Sequence, residues 1–175
     1  MLEGKKAGDL MIPLDKYPHI PYWFTLRQAM AEFENSSLDI NGQISLPRII
    51  LVFDEKYQLM GMARRRDILR GLEPKFLASQ SYKHPKKLFD VGVDPNLSEM
   101  SHDKLLKILK ERAETRVSEV MIPIMETVEY DDHIMKVIYE MVSNDLALLP
   151  VMQEGSVAGV VRSVDIFHEV ARLII

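Results

Sequence analysis

The sequence predicts an α/β (α+β) chain in which one structural unit occurs twice. Three ordered blocks predict it. Asp9-Leu-Met-Ile-Pro-Leu14 matches Glu119-Val-Met-Ile-Pro-Ile124, with an identical Met-Ile-Pro at an offset of 110 residues. Leu26, Ala29, Met30 and Phe33 share the spacing i, i+3, i+4, i+7 with Ile134, Val137, Ile138 and Met141, so each set lays an apolar stripe along a helix. Leu51-Val-Phe-Asp-Glu-Lys-Tyr-Gln-Leu-Met-Gly61 aligns without a gap to Leu149-Pro-Val-Met-Gln-Glu-Gly-Ser-Val-Ala-Gly159. Three blocks in one order, with matching periodicity, mark an internal duplication.

Each element follows from its residues. The first amphipathic helix has the capping box Thr25-Leu-Arg-Gln28. The second is expected to start at Asp131 and Asp132, where carboxylates suit the orphan amides and the helix dipole. The third block reads as strand, polar turn, strand and then helix, and it continues through Met62-Ala-Arg-Arg-Arg-Asp-Ile68 and Val160-Val-Arg-Ser-Val-Asp-Ile166. The offset falls from 110 to 98 because copy one carries a longer polar, turn-rich loop between Glu34 and Pro47. The expected boundaries are repeat one at 7–72, a connector at 73–116 and repeat two at 117–175. The connector begins around Lys83-His-Pro-Lys-Lys87. It then offers a helix from Ser101 or His102 to Ala113, with Leu105, Leu106, Ile108 and Leu109 as apolar contacts. It is too long and too apolar for a plain tether.

Composition narrows the function. Net charge is −4, against the clustered positive charge that nucleic acid requires. There is no cysteine, which excludes disulfides, thiolate catalysis and cysteine-based zinc sites and fits a reducing, cytoplasmic setting. The N-terminal residues lack the apolar core of a signal peptide, and no apolar run approaches the ~20 residues of a membrane span. The apolar end, Arg172-Leu-Ile-Ile175, is expected to pack on the chain's own core, with a partner surface as the alternative. The five histidines show no metal-ligand spacing, and no phosphate loop or nucleophile elbow is present. The chain therefore reads as non-catalytic, with no cofactor required and no metal. The stretch Tyr17-Pro-His-Ile-Pro-Tyr-Trp-Phe24 is expected to serve as core packing, with base stacking or an intersubunit seam as alternatives. The methionines, Met30 and Met141 among them, are expected in the core.

The order Met-Ile-Pro, amphipathic helix, apolar strand, turn, strand ending Gly-h-h-Arg-x-x-Asp-Ile, and helix resembles a CBS (cystathionine-β-synthase) domain. The likeness covers Gly8 to Leu72 and Val117 to Leu173. It rests most on Leu149-Pro-Val151, Gly159-Val-Val161, Asp67-Ile68 and Asp165-Ile166. The resemblance implies two tandem β-α-β-β-α repeats packed sheet to sheet, and a pair that dimerises into a disc, here a homodimer. It implies a regulatory (Bateman) module that senses AMP, ADP or ATP in clefts between the repeats and signals to a separate effector protein. The alternative is a dimerisation or interaction module that binds no nucleotide.

The resemblance also names site residues. Asp67 and Asp165 would accept the ribose hydroxyls. The adenine would lie against Met11 to Leu14, Pro13 included, with Ile50 and Leu51 in copy one. In copy two it would lie against Met121, Pro123 and Ile124 with Leu148, Leu149 and Pro150. Where the family has Ser or Thr beside the phosphate, both copies carry arginine, Arg64 and Arg162. Arginine there offers a fork to phosphate, fills the cleft, or pairs with the nearby aspartate and blocks the ribose. Arg64-Arg65-Arg66 would crowd three cations at one helix N-terminus, each disfavoured by ~0.3–1 kcal/mol. A bound anion or an internal carboxylate relieves that; otherwise two of them point into solvent.

Overall fold

The computed structural model describes residues 4–74 and 101–175, and Lys83 to Lys87 lie outside them. In chain order the elements are α1 (Ala7–Leu10), β1 (Ile12–Pro13), β2 (His19–Pro21), α2 (Leu26–Asn35), β3 (Leu38–Ile40), β4 (Gln43–Ser45), β5 (Ile49–Phe53), β6 (Leu59–Arg64), α3 (Arg65–Leu72), α4 (His102–Arg112), β7 (Ile122–Pro123), β8 (Val128–Glu129), α5 (Ile134–Ser143), β9 (Leu148–Gln153), β10 (Ser156–Arg162) and α6 (Ser163–Ile174). Two four-stranded sheets result, ordered β2-β5-β6-β7 and β1-β10-β9-β8. In each, one parallel pair (β2 with β5, β8 with β9) is followed by antiparallel neighbours. This is the expected mixed α+β architecture in duplicate.

Each sheet borrows its edge strand from the other copy. β1 of copy one runs antiparallel to β10, with Ile12 opposite Val160 and Pro13 opposite Gly159. β7 runs along β6, with Ile122 opposite Met62 and Pro123 opposite Gly61. Proline can sit there because an edge strand leaves one row of amides unpaired. The same exchange recurs at Lys6 with His133 and at Thr25 with Arg116.

The strands alternate with period two between two kinds of core. In β5, Ile50 and Val52 face Leu26, Ala29, Phe33 and Ile68 of the helices, and Ile49, Leu51 and Phe53 face the other sheet. In β9 and β10, Leu149, Val151 and Val161 face the helices α5 and α6, while Leu148 and Val160 meet Ile12, Leu51 and Met62 between the sheets. Both faces of each sheet are thus covered, which is why the central strands read as continuous apolar runs. Truncating a fully buried residue such as Leu51 to alanine costs about 2–5 kcal/mol.

Local signals hold with some exceptions. Thr25 and Gln28 form the capping box, at 3.2 Å for Gln28 N–H to Thr25 Oγ1 and 2.9 Å for Thr25 N–H to Gln28 Oε1. Helix α5 is capped by His133, whose Nδ1 accepts the Met135 amide at 3.1 Å, and not by the preceding aspartates. Asp131 pairs with Lys6, and Asp132 accepts the Glu129 amide. Met141 is buried, but Met30 faces solvent because Leu26, Ala29 and Phe33 already fill the contact stripe. Tyr17 and Ile20 are core residues, Tyr22 and Phe24 pack on the helical core, and Trp23 stands exposed. The C-terminal Leu173, Ile174 and Ile175 are exposed rather than folded onto the core.

The loop after α2 is more ordered than its composition suggests. Leu38–Ile40 and Gln43–Ser45 pair as a hairpin around Asn41-Gly42, both at positive φ (53° and 84°), as a two-residue turn requires. In the connector, Ser101 caps α4, and the following residues dock on copy one. Arg112 Nε donates to the Gly71 carbonyl at 3.0 Å, and Ala113 joins the core beside Val117 and Val120. Leu106 and Leu109 remain exposed.

The strand exchange depends on glycine. A Cβ on Gly159 would lie 2.2 Å from the Ile12 carbonyl oxygen, and one on Gly61 would lie 2.6 Å from that of Ile122. Gly159→Ala is expected to lower stability by about 1–3 kcal/mol by prising β1 from β10. Urea denaturation of the two proteins measures this, and an unchanged midpoint would refute the backbone contact.

Candidate functional site

The exchange of edge strands regroups the expected site residues. Met11 to Pro13 of copy one stand beside β10 and the start of α6, so they share a cleft with Arg162 and Asp165. Met121 to Pro123 of copy two stand beside β6, on the side of Gly61 and Met62. The Met-Ile-Pro of copy one thus lies beside the aspartate of copy two. Ile50, Leu51, Leu148, Leu149 and Pro150 are all buried, because β5 and β9 are central strands covered on both faces, and none of the five lines the cleft that holds Arg162 and Asp165.

The cleft at copy two has a volume of about 970 Å³. Its walls are Met11, Ile12 and Pro13, the hairpin β3–β4 and the inward face of α6. Arg162 is buried at its floor. Its Nε and Nη2 donate to the two oxygens of Asp165 at 2.7 and 2.8 Å, and its Nη1 donates to Ser45 Oγ at 3.1 Å. Tyr17 lies close enough to sense both charges, although burial is what chiefly pushes its hydroxyl pKa up; it donates to the Ile49 carbonyl at 2.5 Å. A carboxylate has about four acceptor positions. Asp165 uses two of them within the described residues.

The equivalent aspartate of copy one is saturated. Asp67 is wholly buried and accepts from the Arg64 amide (2.9 Å), Arg64 Nε (2.8 Å), Arg64 Nη2 (2.9 Å) and Arg70 Nη1 (3.1 Å). Arg70 also donates to the Val120 carbonyl at 3.0 Å and so ties α3 to the other repeat. Burial alone would raise the Asp67 pKa. The hydrogen bonds from the Arg64 side chain and backbone, with the charges of Arg64 and Arg70, outweigh it and hold the carboxyl below its usual range. Arg64 is held above its usual value, chiefly by its hydrogen bond to Asp67. Copy two has His168 at the position of Arg70, which leaves Asp165 with one arginine instead of two. The Arg64-Arg65-Arg66 cluster resolves in the same way. Arg64 is neutralised by Asp67, Arg65 lies 5.4 Å over the Phe33 ring, and Arg66 is exposed.

A model of the CBS domain matches residues 117–172. Those residues are a CBS domain. No curated protein matches the chain in sequence. Solved structures extend the likeness to the rest of it. The CBS domain of a CBS-domain-containing membrane protein from Sphaerobacter thermophilus is 18% identical, with a TM-score of 0.64, over 95% of this chain and 88% of that one. CBSX2 of Arabidopsis thaliana in complex with AMP is 13% identical, with a TM-score of 0.62, over 98% of this chain and 100% of that one. The cytosolic domain of the Mg2+ channel MgtE in complex with ATP is 21% identical, with a TM-score of 0.56, over 94% of this chain and 48% of that one. The chain has the fold of a CBS pair.

Within this CBS pair, Met11, Pro13, Arg162 and Asp165 meet in one cleft, while Arg64 and Asp67 are locked into the start of α3. Met121 packs on the helical core, Ile124 against the inter-sheet core, and Pro123 is exposed at the edge of β7. Ser45, Lys16 and Glu169 are cleft residues that sequence reasoning did not single out. The shift in repeat offset did locate the Ser45 hairpin as an insertion of copy one. No helix among the described residues is long and apolar enough to cross a membrane, and among them no group of three His, Asp or Glu side chains is placed to hold a metal ion.

The two aspartates differ in what they contribute to folding. The depressed Asp67 pKa adds stability that is present above the ordinary carboxylate pKa of about 3.9 and lost as pH falls through the folded value. Asp67→Asn is expected to lower stability near neutral pH by about 1–3 kcal/mol and to flatten the acid limb of the stability curve. Denaturant unfolding from pH 7 down to pH 3 tests this, and an identical acid limb in the variant would contradict it.

Proposed function

We propose that the chain is a non-catalytic regulatory module that binds an adenosine nucleotide in the cleft of Arg162 and Asp165 and passes its occupancy to a separate protein. The observation that carries this reading is Asp165, which accepts only two hydrogen bonds among the described residues, in a cleft of about 970 Å³, a size that suits a nucleotide. A carboxylate with free acceptor positions suits a ribose diol. The N-terminus of the 12-residue helix α6 favours an anion nearby. CBSX2 with AMP and MgtE with ATP support the choice of ligand class. Asp67 is not part of this proposed site, since four internal donors already occupy its oxygens.

Signalling requires the ligand to bind two arrangements unequally. The bond from Arg162 to Ser45 is the contact through which it acts: a ribose drawing on Asp165 shifts Arg162 and releases the hairpin β3–β4. In this reading the protein works as a cytoplasmic homodimer and needs no cofactor. Sedimentation velocity of the purified chain is expected to give the mass of a dimer, and a monomer would overturn that part of the reading.

One observation favours a second reading, an interaction module without ligand. Arg162 already grips Asp165 through two hydrogen bonds and so stands where ribose would bind.

Isothermal titration with AMP, ADP and ATP separates the two. Binding is expected to at least one nucleotide. Asp165→Ala is expected to weaken it by about tenfold or more, and Asp67→Asn to leave it within about twofold. Absence of heat and of any melting shift with all three nucleotides would favour the interaction module instead.

A further inference from the structure

The charges around the copy-two cleft are mostly committed to one another. Arg162 is held by Asp165 and Ser45. Arg172 Nη2 donates to Glu169 Oε2 at 2.8 Å, and Lys5 Nζ stands 3.4 Å from Glu169 Oε1. Glu169 is a buried carboxylate of the cleft wall, and its Oε1 accepts no hydrogen bond within the described residues. Asp9 and Asp39 add two more acids to the lining. Lys16 is the lining cation that has no ion-pair partner among the described residues. Copy one has Gly71 where copy two has Glu169, so the duplication itself does not account for this acid.

A phosphate entering the cleft therefore meets, among the described residues, one uncommitted cation and several carboxylates. We propose that the cleft selects a nucleoside monophosphate over the triphosphate, with Lys16 as the phosphate partner and Glu169 setting the limit by keeping Arg172 and Lys5 in ion pairs. This rests on the nucleotide reading above and adds its selectivity. Each further phosphate brings negative charge toward Asp9, Asp39 and Glu169 without an uncommitted cation among the described residues to receive it. Half-buried charges near a protein surface interact strongly enough for this to be worth about tenfold in affinity. Removing the charge of Glu169 sets Arg172 free, since most of its side chain is already in solvent.

The test is titration of the full chain and its variants with AMP and with ATP. Wild-type protein is expected to bind AMP about tenfold or more tightly than ATP. Glu169→Gln is expected to tighten ATP about tenfold while AMP stays within about twofold, and Arg172→Gln with Lys5→Gln added to it should abolish that gain. Lys16→Met is expected to weaken AMP by about tenfold. An unchanged AMP-to-ATP ratio in Glu169→Gln, with AMP still bound, overturns the selectivity and leaves the nucleotide reading intact. Wild-type protein that binds neither nucleotide overturns both. A gain in ATP binding that survives Arg172→Gln and Lys5→Gln together assigns it to loosened packing and also overturns the role given to Glu169.

Discussion

Ile12 and Pro13 lie along Val160 and Gly159, backbone against backbone, and most of the molecule's geometry follows from that short antiparallel contact. The contact is possible because the glycine carries no Cβ; one would sit 2.2 Å from the Ile12 carbonyl. Its counterpart at Gly61 and Ile122 repeats the arrangement for the other sheet. With both edges exchanged, neither repeat completes its sheet alone. The residues between the sheets, such as Leu51, Met62, Leu148 and Val160, are buried by both copies at once. The exchange also decides that the residues flanking β1 face the aspartate of copy two.

Duplication supplies two aspartates, and their surroundings then separate them. Asp67 collects Arg64 and Arg70, becomes fully satisfied and behaves as part of the α3 cap. Asp165 keeps only its own arginine, because His168 replaces Arg70, and it faces a cleft instead of the core. A buried carboxylate costs folding energy unless donors surround it, so Asp67 is a structural group. A partly satisfied one beside open volume has acceptor capacity to spare. Two sites that look alike in sequence therefore differ in chemistry.

The inserted hairpin sharpens this asymmetry. Asn41 and Gly42 at positive φ close a tight turn, and β4 delivers Ser45 to Arg162. Copy two, with its shorter connection from α5 to β9, has no matching hairpin. One cleft thus gains a wall, a hydroxyl and an acid that the duplication did not supply. Specificity arises where the copies diverge, while the scaffold arises where they agree.

Much of the scaffold was legible in the residues. Apolar spacing located α2 and α5, and the Thr25–Gln28 box set a helix start. These are local signals, carried by neighbours in the chain. Repetition added the α+β unit and its doubling. The grouping of the site was not legible, because edge-strand exchange is a relation between segments about 100 residues apart that each segment's own pattern leaves open. That Ile50, Leu51, Leu148, Leu149 and Pro150 are buried was likewise not legible, since burial on both faces of a strand is settled by what packs there. The saturation of Asp67 by Arg70, and its absence at Asp165, likewise needed coordinates. The sequence by itself determined two copies of one fold with an arginine–aspartate pair in each. Only the tertiary structure decided that one pair is a helix cap and the other borders a cleft, because hydrogen-bond satisfaction depends on which donors converge in space.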